Sequence, residues 1–226
     1  MTEALLGYIV KFKDGVKEPP AAQLYYPLTQ DGFARAQAFA QQQDEKGFSV
    51  YSCIGRLRNT PRNKQNVAEL SNLVLDLDLR NIAETREQVL KTLRDLPLPP
   101  EIRDSGRGIH AVWHLKEPLV DDAGMAQAET TMRRLVTLLA GDPKPTHRAA
   151  LLRHLGTHNS RDNEWRECRV LEDGKPCDIN QAQAAQRLNL SVSKFRAEQN
   201  AGRINGKRHG RIWTFTDDDL DAYLDG

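Results

Sequence analysis

One short segment, Asn-Leu-Val-Leu-Asp-Leu-Asp-Leu-Arg at residues 72–80, restricts the fold more than any other. Leu75, Leu77 and Leu79 alternate there with Asp76 and Asp78. A period of two marks a β-strand, whose successive side chains point to opposite faces. The leucines define a face that must be covered. The two aspartates stand ~7 Å apart on the other face. Like charges that close repel, so their face is either open to water or holds something positive. Hard divalent cations take oxygen ligands, and two carboxylates at this spacing can share Mg2+ or Mn2+. On the segment alone, the solvated-edge reading stays ahead, because so short a motif recurs by chance.

The flanking segments place this strand in an α+β sheet protein. Residues 5–12 and 48–57 read as strands, and residues 29–47 between them as a helix ended by Gly47. Residues 81–96 read as a helix stopped by Pro-Leu-Pro-Pro. Residues 105–115 read as a glycine-rich turn entering a strand, and 121–142 as a long amphipathic helix. Residues 145–160 suggest a shorter helix and a loop, and 167–173 a further strand. Some strands follow each other directly, which favours a mixed sheet over a strictly alternating doubly wound one.

Composition agrees with a folded protein: apolar residues are 39 % of the chain and charged residues 28 %. No apolar run approaches the ~20 residues of a membrane span. The first residues lack a basic stretch and a small-residue cleavage site, so no export signal is expected. Cys53, Cys168 and Cys177 are widely spaced and odd in number, which points to a reducing cytoplasm rather than a disulfide framework. They form no C-x-x-C pair, so a structural zinc is not expected.

Three further constellations bear on chemistry. Ser105-Gly-Arg-Gly-Ile-His110 is one. Its glycines permit close backbone approach, and Ser105, Arg107 and His110 are groups that meet phosphate oxygens. His110 and His114 would chelate together from a helix, but on a strand they lie ~13 Å apart, so a shared zinc is rejected. Asp142 follows Gly141 at the end of the long helix and, taken alone, reads as a C-terminal turn residue. The segment 56–64 holds Arg56, Arg58, Arg62 and Lys64 with no acid, either as a solvated loop or as a phosphate contact.

In this order the motifs resemble the archaeo-eukaryotic primase (AEP) superfamily, and more closely its phage and plasmid primase-polymerase branch. The resemblance rests on Asp-Leu-Asp at 76–78, on Ser105 to His110, on Asp142, and on Leu151-Leu-Arg-His-Leu-Gly-Thr-His-Asn159. It runs from about residue 5 to 175. His154-Leu155 stands where that branch usually carries a Val-Pro pair, and the zinc-binding cysteines of cellular primases are absent. The resemblance implies a mixed-sheet, RRM-like catalytic core. It implies that Asp76, Asp78 and Asp142 hold catalytic Mg2+ or Mn2+ and that His110 acts on the incoming nucleotide. Ser105, Arg107, Arg62, Lys64, Arg153 and Asn159 would complete the nucleotide site.

The last fifty residues differ in character. From Asn180 to Phe215 there are seven Lys and Arg against one acid, followed by an aspartate-rich end. A boundary is placed between a catalytic domain, 1–177, and a small domain, 178–226. Asn180 is positioned to cap one helix and Ser191 a second, 192–202. Residues 202–215 read as a β-hairpin, and 216–224 as a helix opened by a Thr216/Asp219 capping box. The whole resembles the winged helix-turn-helix domains of excisionases and MerR-type regulators. That likeness implies a core of Ala184, Ala185, Leu188, Leu190, Val192 and Phe195. Ser193, Lys194, Arg196 and Asn200 would face the major groove, and Lys207, Arg208 and Arg211 would meet phosphates.

The expected function is a template-dependent nucleotidyltransferase, a DNA primase or primase-polymerase replicating a mobile element. Its partners would be single-stranded template, duplex origin DNA, and NTPs or dNTPs. No Walker A sequence is present, so a helicase would be a separate protein. The competing reading is a non-catalytic DNA-binding initiator or regulator with a nucleotide-sensing domain. A tyrosine nickase needs an H-x-H pair, and the chain offers only His110-Ala-Val-Trp-His114.

Overall fold

In the computed structural model the alternating segment lies in a strand of twelve residues, Val67–Asp78. The structure describes residues 5–11, 22–159, 164–174, 179–180, 188, 190–209 and 212–224. The chain divides into two compact units, Met1–Lys175 and Pro176–Gly226.

The first unit runs β1 (Leu5–Lys11), β2 (Ala22–Pro27), α1 (Gln30–Glu45), β3 (Ser49–Cys53), β4 (Gly55–Leu57) and β5 (Val67–Asp78). It continues with α2 (Arg86–Arg94), β6 (Glu101–Asp104), β7 (Gly108–Leu119), α3 (Asp122–Leu139) and β8 (Leu151–Arg153). A short hairpin, β9 (His158–Asn159) and β10 (Arg166–Glu167), leads to β11 (Arg169–Glu172). Nine strands form one sheet in the order β11-β6-β7-β5-β4-β1-β3-β8, with β2 also on β1. Every described pairing is antiparallel, so the expected mixed sheet is corrected. The reason is topological: a parallel neighbour needs a crossover, and here successive strands turn back on each other or return beside a strand of opposite direction.

One junction shapes the unit. β3 and β4 are two halves of a strand broken at Ile54, and both pair with β1 along one edge. On the other edge β4 pairs with β5, through Gly55 and Leu70, while β3 pairs with β8, through Tyr51 and Arg153. The N–H of Ile54 bonds the Ala150 carbonyl at 3.0 Å. β5 and β8 therefore diverge from one bent strand and leave a cleft between them.

Helices form within the expected segments 29–47, 81–96 and 121–142, with local reasons visible. Thr29 caps α1 by accepting from the N–H of Gly32, and Ala36 and Ala40, one turn apart, are fully buried. Thr85 and Gln88 form a reciprocal capping box, so α2 begins later than its periodicity suggests. α3 buries Met125, Ala128, Glu129 and Met132 on one stripe. Met125 and Ala128 join Leu57, Val67, Leu70 and Ala149 in a core cluster, and Met132 joins Val74, Val112 and Leu152 in another.

The helix expected within 145–160 does not form. Arg148 is held by the buried carboxylate of Glu129, which accepts from its backbone N–H at 3.0 Å and from Nε at 3.1 Å, and by Asp122 at 2.6 Å. That N–H serves the carboxylate rather than a helical carbonyl. Leu151–Arg153 then extends along β3. A tertiary ion network overrides the local propensity.

The second unit holds β12 (Ile179–Asn180), α4 (Val192–Asn200), β13 (Lys207–His209), β14 (Ile212–Phe215) and α5 (Asp217–Leu224). β14 pairs antiparallel with both β12 and β13. Ser191 caps α4 by accepting from Lys194, and Thr216 and Asp219 bond each other reciprocally ahead of α5. Leu188, Phe195, Ile204, Phe215 and Leu220 form its core, with Leu190 and Tyr223 packed against it. Phe195 meets Phe215 edge to face at 5.0 Å. Asn180 lies in a strand opposite Thr214. The helix it was expected to cap, with Ala184 and Ala185, and the side chain of Val192 lie outside the described residues, as does Arg211.

Leu75 is completely buried, whereas Leu138 is 77 % exposed. Leu75→Ala is expected to lower the unfolding free energy by about 3 kcal/mol. Leu138→Ala is expected to change it by under about 0.5 kcal/mol. Urea denaturation followed by circular dichroism measures both.

Candidate active site

The cleft between β5 and β8 encloses about 680 Å³. Asp76, Asp78, Asp142, Arg62 and Arg153 line it, with Asn159 at its edge. A smaller recess of about 150 Å³ shares the three acids and Arg153 with the cleft and adds Ser105, Arg107, Gly108 and His110 to its lining. Sequence-separated motifs thus meet at one place.

The sheet register explains the meeting. Asp76 lies directly opposite His110, and His110 directly opposite Arg103, so the three side chains share a face. Asp78 lies opposite Gly108, the last residue of the Ser105 turn. That turn closes by the Ser105 N–H on the Gly108 carbonyl at 3.0 Å and the Gly108 N–H on Ser105 Oγ at 3.1 Å. Gly106 takes φ +86°, and a Cβ there would stand 2.7 Å from both the Arg166 carbonyl oxygen and Asn159 Cβ. Only glycine allows the turn to sit against the β9–β10 hairpin.

Asp142 arrives by backbone. α3 ends at Ala140 in the left-handed conformation, φ 53°, and the Asp142 N–H bonds the Asp76 carbonyl at 2.7 Å, along the edge of β5 turned away from β7. A Cβ on Gly141 would stand 2.3 Å from Leu75 Cδ1. The turn reading of Asp142 and its place among the acids are therefore the same feature.

The acids act on one another. Burial, then the neighbouring Asp142 and Asp78, push the Asp76 carboxyl up to about 6, while Arg153 and Lys144 pull it partly back. Asp78 accepts a two-pronged contact from Arg80, Nε at 3.1 Å and Nη2 at 2.8 Å, and a bond from Asn81 at 3.3 Å. Among the described residues, no three His, Cys, Asp or Glu side chains already converge as a metal cage. The donor set nevertheless suits a hard cation: three carboxylates on one cleft wall, one of them short of positive charge. Closing it would require Asp78 to release Arg80.

His110 is 3 % exposed, and its Nδ1 is buried with no hydrogen-bond partner. Burial, then Arg103 and Arg153, push the imidazole down to about 3. It is neutral at ordinary pH, so its 3.8 Å approach to Asp76 is not an ion pair. A neutral imidazole beside a phosphate acts as a hydrogen-bond donor, not as a cation.

The other expected residues divide. Arg153 is locked, with Nη1 on the His158 carbonyl and Nη2 on the Tyr51 hydroxyl, both at 3.0 Å. Arg62 lines the cleft while donating to the Ala149 carbonyl. Lys64 is not brought into the lining: it pairs with Glu129 at 3.4 Å. Arg56 pairs with Glu69, and Arg58 bonds the Val67 carbonyl. His114 bridges Asn72 and Glu101 within the sheet. Ser193, Lys194, Arg196 and Asn200 are exposed on α4 of the second unit. Lys207 and Arg208 belong to β13, and their side chains lie outside the described set.

Sequence reasoning missed Tyr51, Arg80, Lys144 and His147, which also line the cleft. The strand period that grouped Asp76 with Asp78 extends to Arg80, so that residue carried a usable signal. The others carried none.

No protein-family profile matches the chain. Among curated proteins, it is similar to a replication protein of Clostridium perfringens, 31 % identical over 71 residues, which are 29 % of this chain and 18 % of that one. The chain thus spans under a fifth of that relative's length. Among solved structures it is similar to the AEP domain of the cyanophage S-2L primase-polymerase. That match has a TM-score of 0.55 and 18 % identity and covers 86 % of this chain and 88 % of that one. It is also similar to the catalytic domain of the primase RepB′ in complex with initiator DNA. There the TM-score is 0.53 at 13 % identity, over 88 % and 89 % of the two chains. These likenesses show the fold alone: the chain shares the α+β arrangement of those two domains. No described helix is long and apolar enough to cross a membrane.

The raised Asp76 group fixes a sign. Its folded value lies above the unfolded one, so the folded state binds the proton more tightly. Metal-free protein should therefore gain stability from this site as pH falls through about 6 toward 4, and lack that gain above it. Asp76→Asn is expected to raise the melting temperature in EDTA at pH 7.5, with the gain shrinking to nothing near pH 4. Gly141→Ala is expected to cost about 1–3 kcal/mol by overpacking against Leu75. Thermal melts across pH and chemical denaturation check these two.

Proposed function

We propose that this protein is a template-dependent nucleotidyltransferase of the primase-polymerase kind, acting in DNA replication. The observation that carries the proposal is the convergence of three carboxylates and flanking cationic groups on one cleft, in a fold shared with AEP primase-polymerase domains. Asp76, Asp78 and Asp142 would hold Mg2+ or Mn2+. Bound there, the ions would lower the pKa of an attacking 3′-hydroxyl and offset charge on the triphosphate.

The remaining work falls to the chain's own side chains. In the reaction the 3′-oxygen bonds the α-phosphorus, the bond to the bridging oxygen breaks, and pyrophosphate leaves. Ser105, Arg107 and the neutral His110 line the recess that shares the acids and suit the triphosphate oxygens. Arg153, clamped by Tyr51 and the His158 carbonyl, is a preorganised positive charge that loses little freedom on binding. Arg80 lines the same cleft and would add a second guanidinium beside the phosphates.

In the second unit, the Ser191-capped helix and the β13–β14 hairpin support a winged helix-turn-helix reading. Ser193, Lys194, Arg196 and Asn200 would read duplex DNA, and Lys207, Arg208 and Arg211 would meet its phosphates. The unit would bring the enzyme to template or origin, with a separate helicase opening the duplex.

Purified protein is expected to make product from single-stranded template, NTPs or dNTPs and Mn2+ or Mg2+, with or without a primer. An Asp76→Ala/Asp78→Ala variant is expected to lose at least ~1000-fold. Mn2+ is expected to raise the melting temperature of the wild type more than that of the double variant. Absence of product with every metal, alongside intact duplex binding, would instead favour a non-catalytic initiator or regulator.

A further inference from the structure

We infer that Trp165, backed by His158, is a stacking platform for an unpaired base of the single-stranded template at the rim of the cleft. The inference deepens the proposed function by placing the template strand, and it rests on that reading.

Trp165 immediately precedes β10 and is 47 % exposed, one of the few large apolar side chains left in water among the described residues. It is not a loose side chain. Its ring lies 5.3 Å from the His158 ring, tilted by 54°. His158 is itself fixed: the buried carboxylate of Asp44, at the end of α1, accepts from its backbone N–H and contacts its Nδ1, both at 2.7 Å. Asp44 is 6 % exposed, so a buried acid uses one oxygen on the His158 backbone and the other on its imidazole. The result is a rigid aromatic pair presented to solvent. Such surfaces bind bases at little entropic cost, because the ring is already in place.

Its position selects the ligand. The Arg153 guanidinium that lines the cleft bonds the His158 carbonyl, and the adjoining Asn159 lines the cleft itself. The platform is therefore built from the residue next to the nucleotide-contacting one. It offers a half-exposed π-face, which suits a template strand of any sequence because every base can stack. Ser105, Arg107 and His110, the groups suited to a triphosphate, line the adjoining recess together with the three acids, Arg153 and Asn159. Trp165 lines neither that recess nor the cleft, so a base stacked on it does not take the place of an incoming nucleotide.

The test uses the full-length protein and short DNA oligonucleotides, either intact or with one abasic site stepped along the strand. Trp165→Ala is expected to weaken binding of the intact oligonucleotide by roughly tenfold. Trp165→Phe, which keeps a ring, is expected to bind within about threefold of wild type, and Trp165→Leu, which keeps apolar bulk alone, to resemble the alanine variant. One abasic position should weaken wild type and leave Trp165→Ala unaffected. Oligonucleotide binding should quench tryptophan emission in wild type and quench it less in Trp165→Phe. The Leu variant serves where the Ala variant melts early. Equal abasic penalties in wild type and the alanine variant, or weakened nucleotide binding with unchanged oligonucleotide binding, would overturn the inference. Neither result would disturb the enzyme reading, which stands or falls on product formation and on Asp76 and Asp78. Conversely, the binding differences remain measurable if no product is formed.

Discussion

The N–H of Asp142 bonds the carbonyl of Asp76 at 2.7 Å, and the candidate site is organised around that bond. It joins the end of α3 to the middle of the acidic strand. The approach requires the left-handed Ala140 and a glycine at 141, because any side chain there would meet Leu75. Through it a third carboxylate reaches two others that already repel. The elevated Asp76 group is the electrostatic record of that arrangement. A fold that assembles like charges in a partly dry cleft carries a standing cost, and the flanking Arg153, Lys144 and Arg80 offset only part of it.

The rest of the first unit keeps this cluster in place. The break at Ile54 lets β5 and β8 part, and Arg153 is brought to the cleft by pairing with Tyr51. The Glu129–Arg148 network holds the chain between α3 and β8 in a run of turns, so that Lys144 and His147 line the cleft instead of joining a helix. Three elements distant in sequence are thus fixed by hydrogen bonds whose partners lie on other elements.

Much of the fold was legible because it rests on local chemistry. Ser191 and the Thr216/Asp219 pair each cap the helix expected of them, since a side-chain oxygen next to unsatisfied N–H groups acts the same way in any context. Other features were not legible. β2 has no clear alternation, and the path of 145–150 depends on Glu129, sixteen or more residues away. The basic loop shows the same limit from the other side. Four cations looked alike in sequence, yet Arg56, Arg58 and Lys64 are engaged by Glu69, a carbonyl and Glu129, and only Arg62 lines the cleft.

By itself the sequence determined that an acidic strand face exists, that Asp76 and Asp78 share it, and that a glycine turn carrying His110 follows on the chain. These depend on the two-residue period of a strand and the backbone freedom of glycine, which are properties of a few adjacent residues. Only the tertiary structure decided that His110 lies opposite Asp76, that Asp142 joins them, and that His110 stays neutral. Strand register, helix termination against a sheet edge, and burial are set by contacts between segments tens of residues apart, and no local period encodes them.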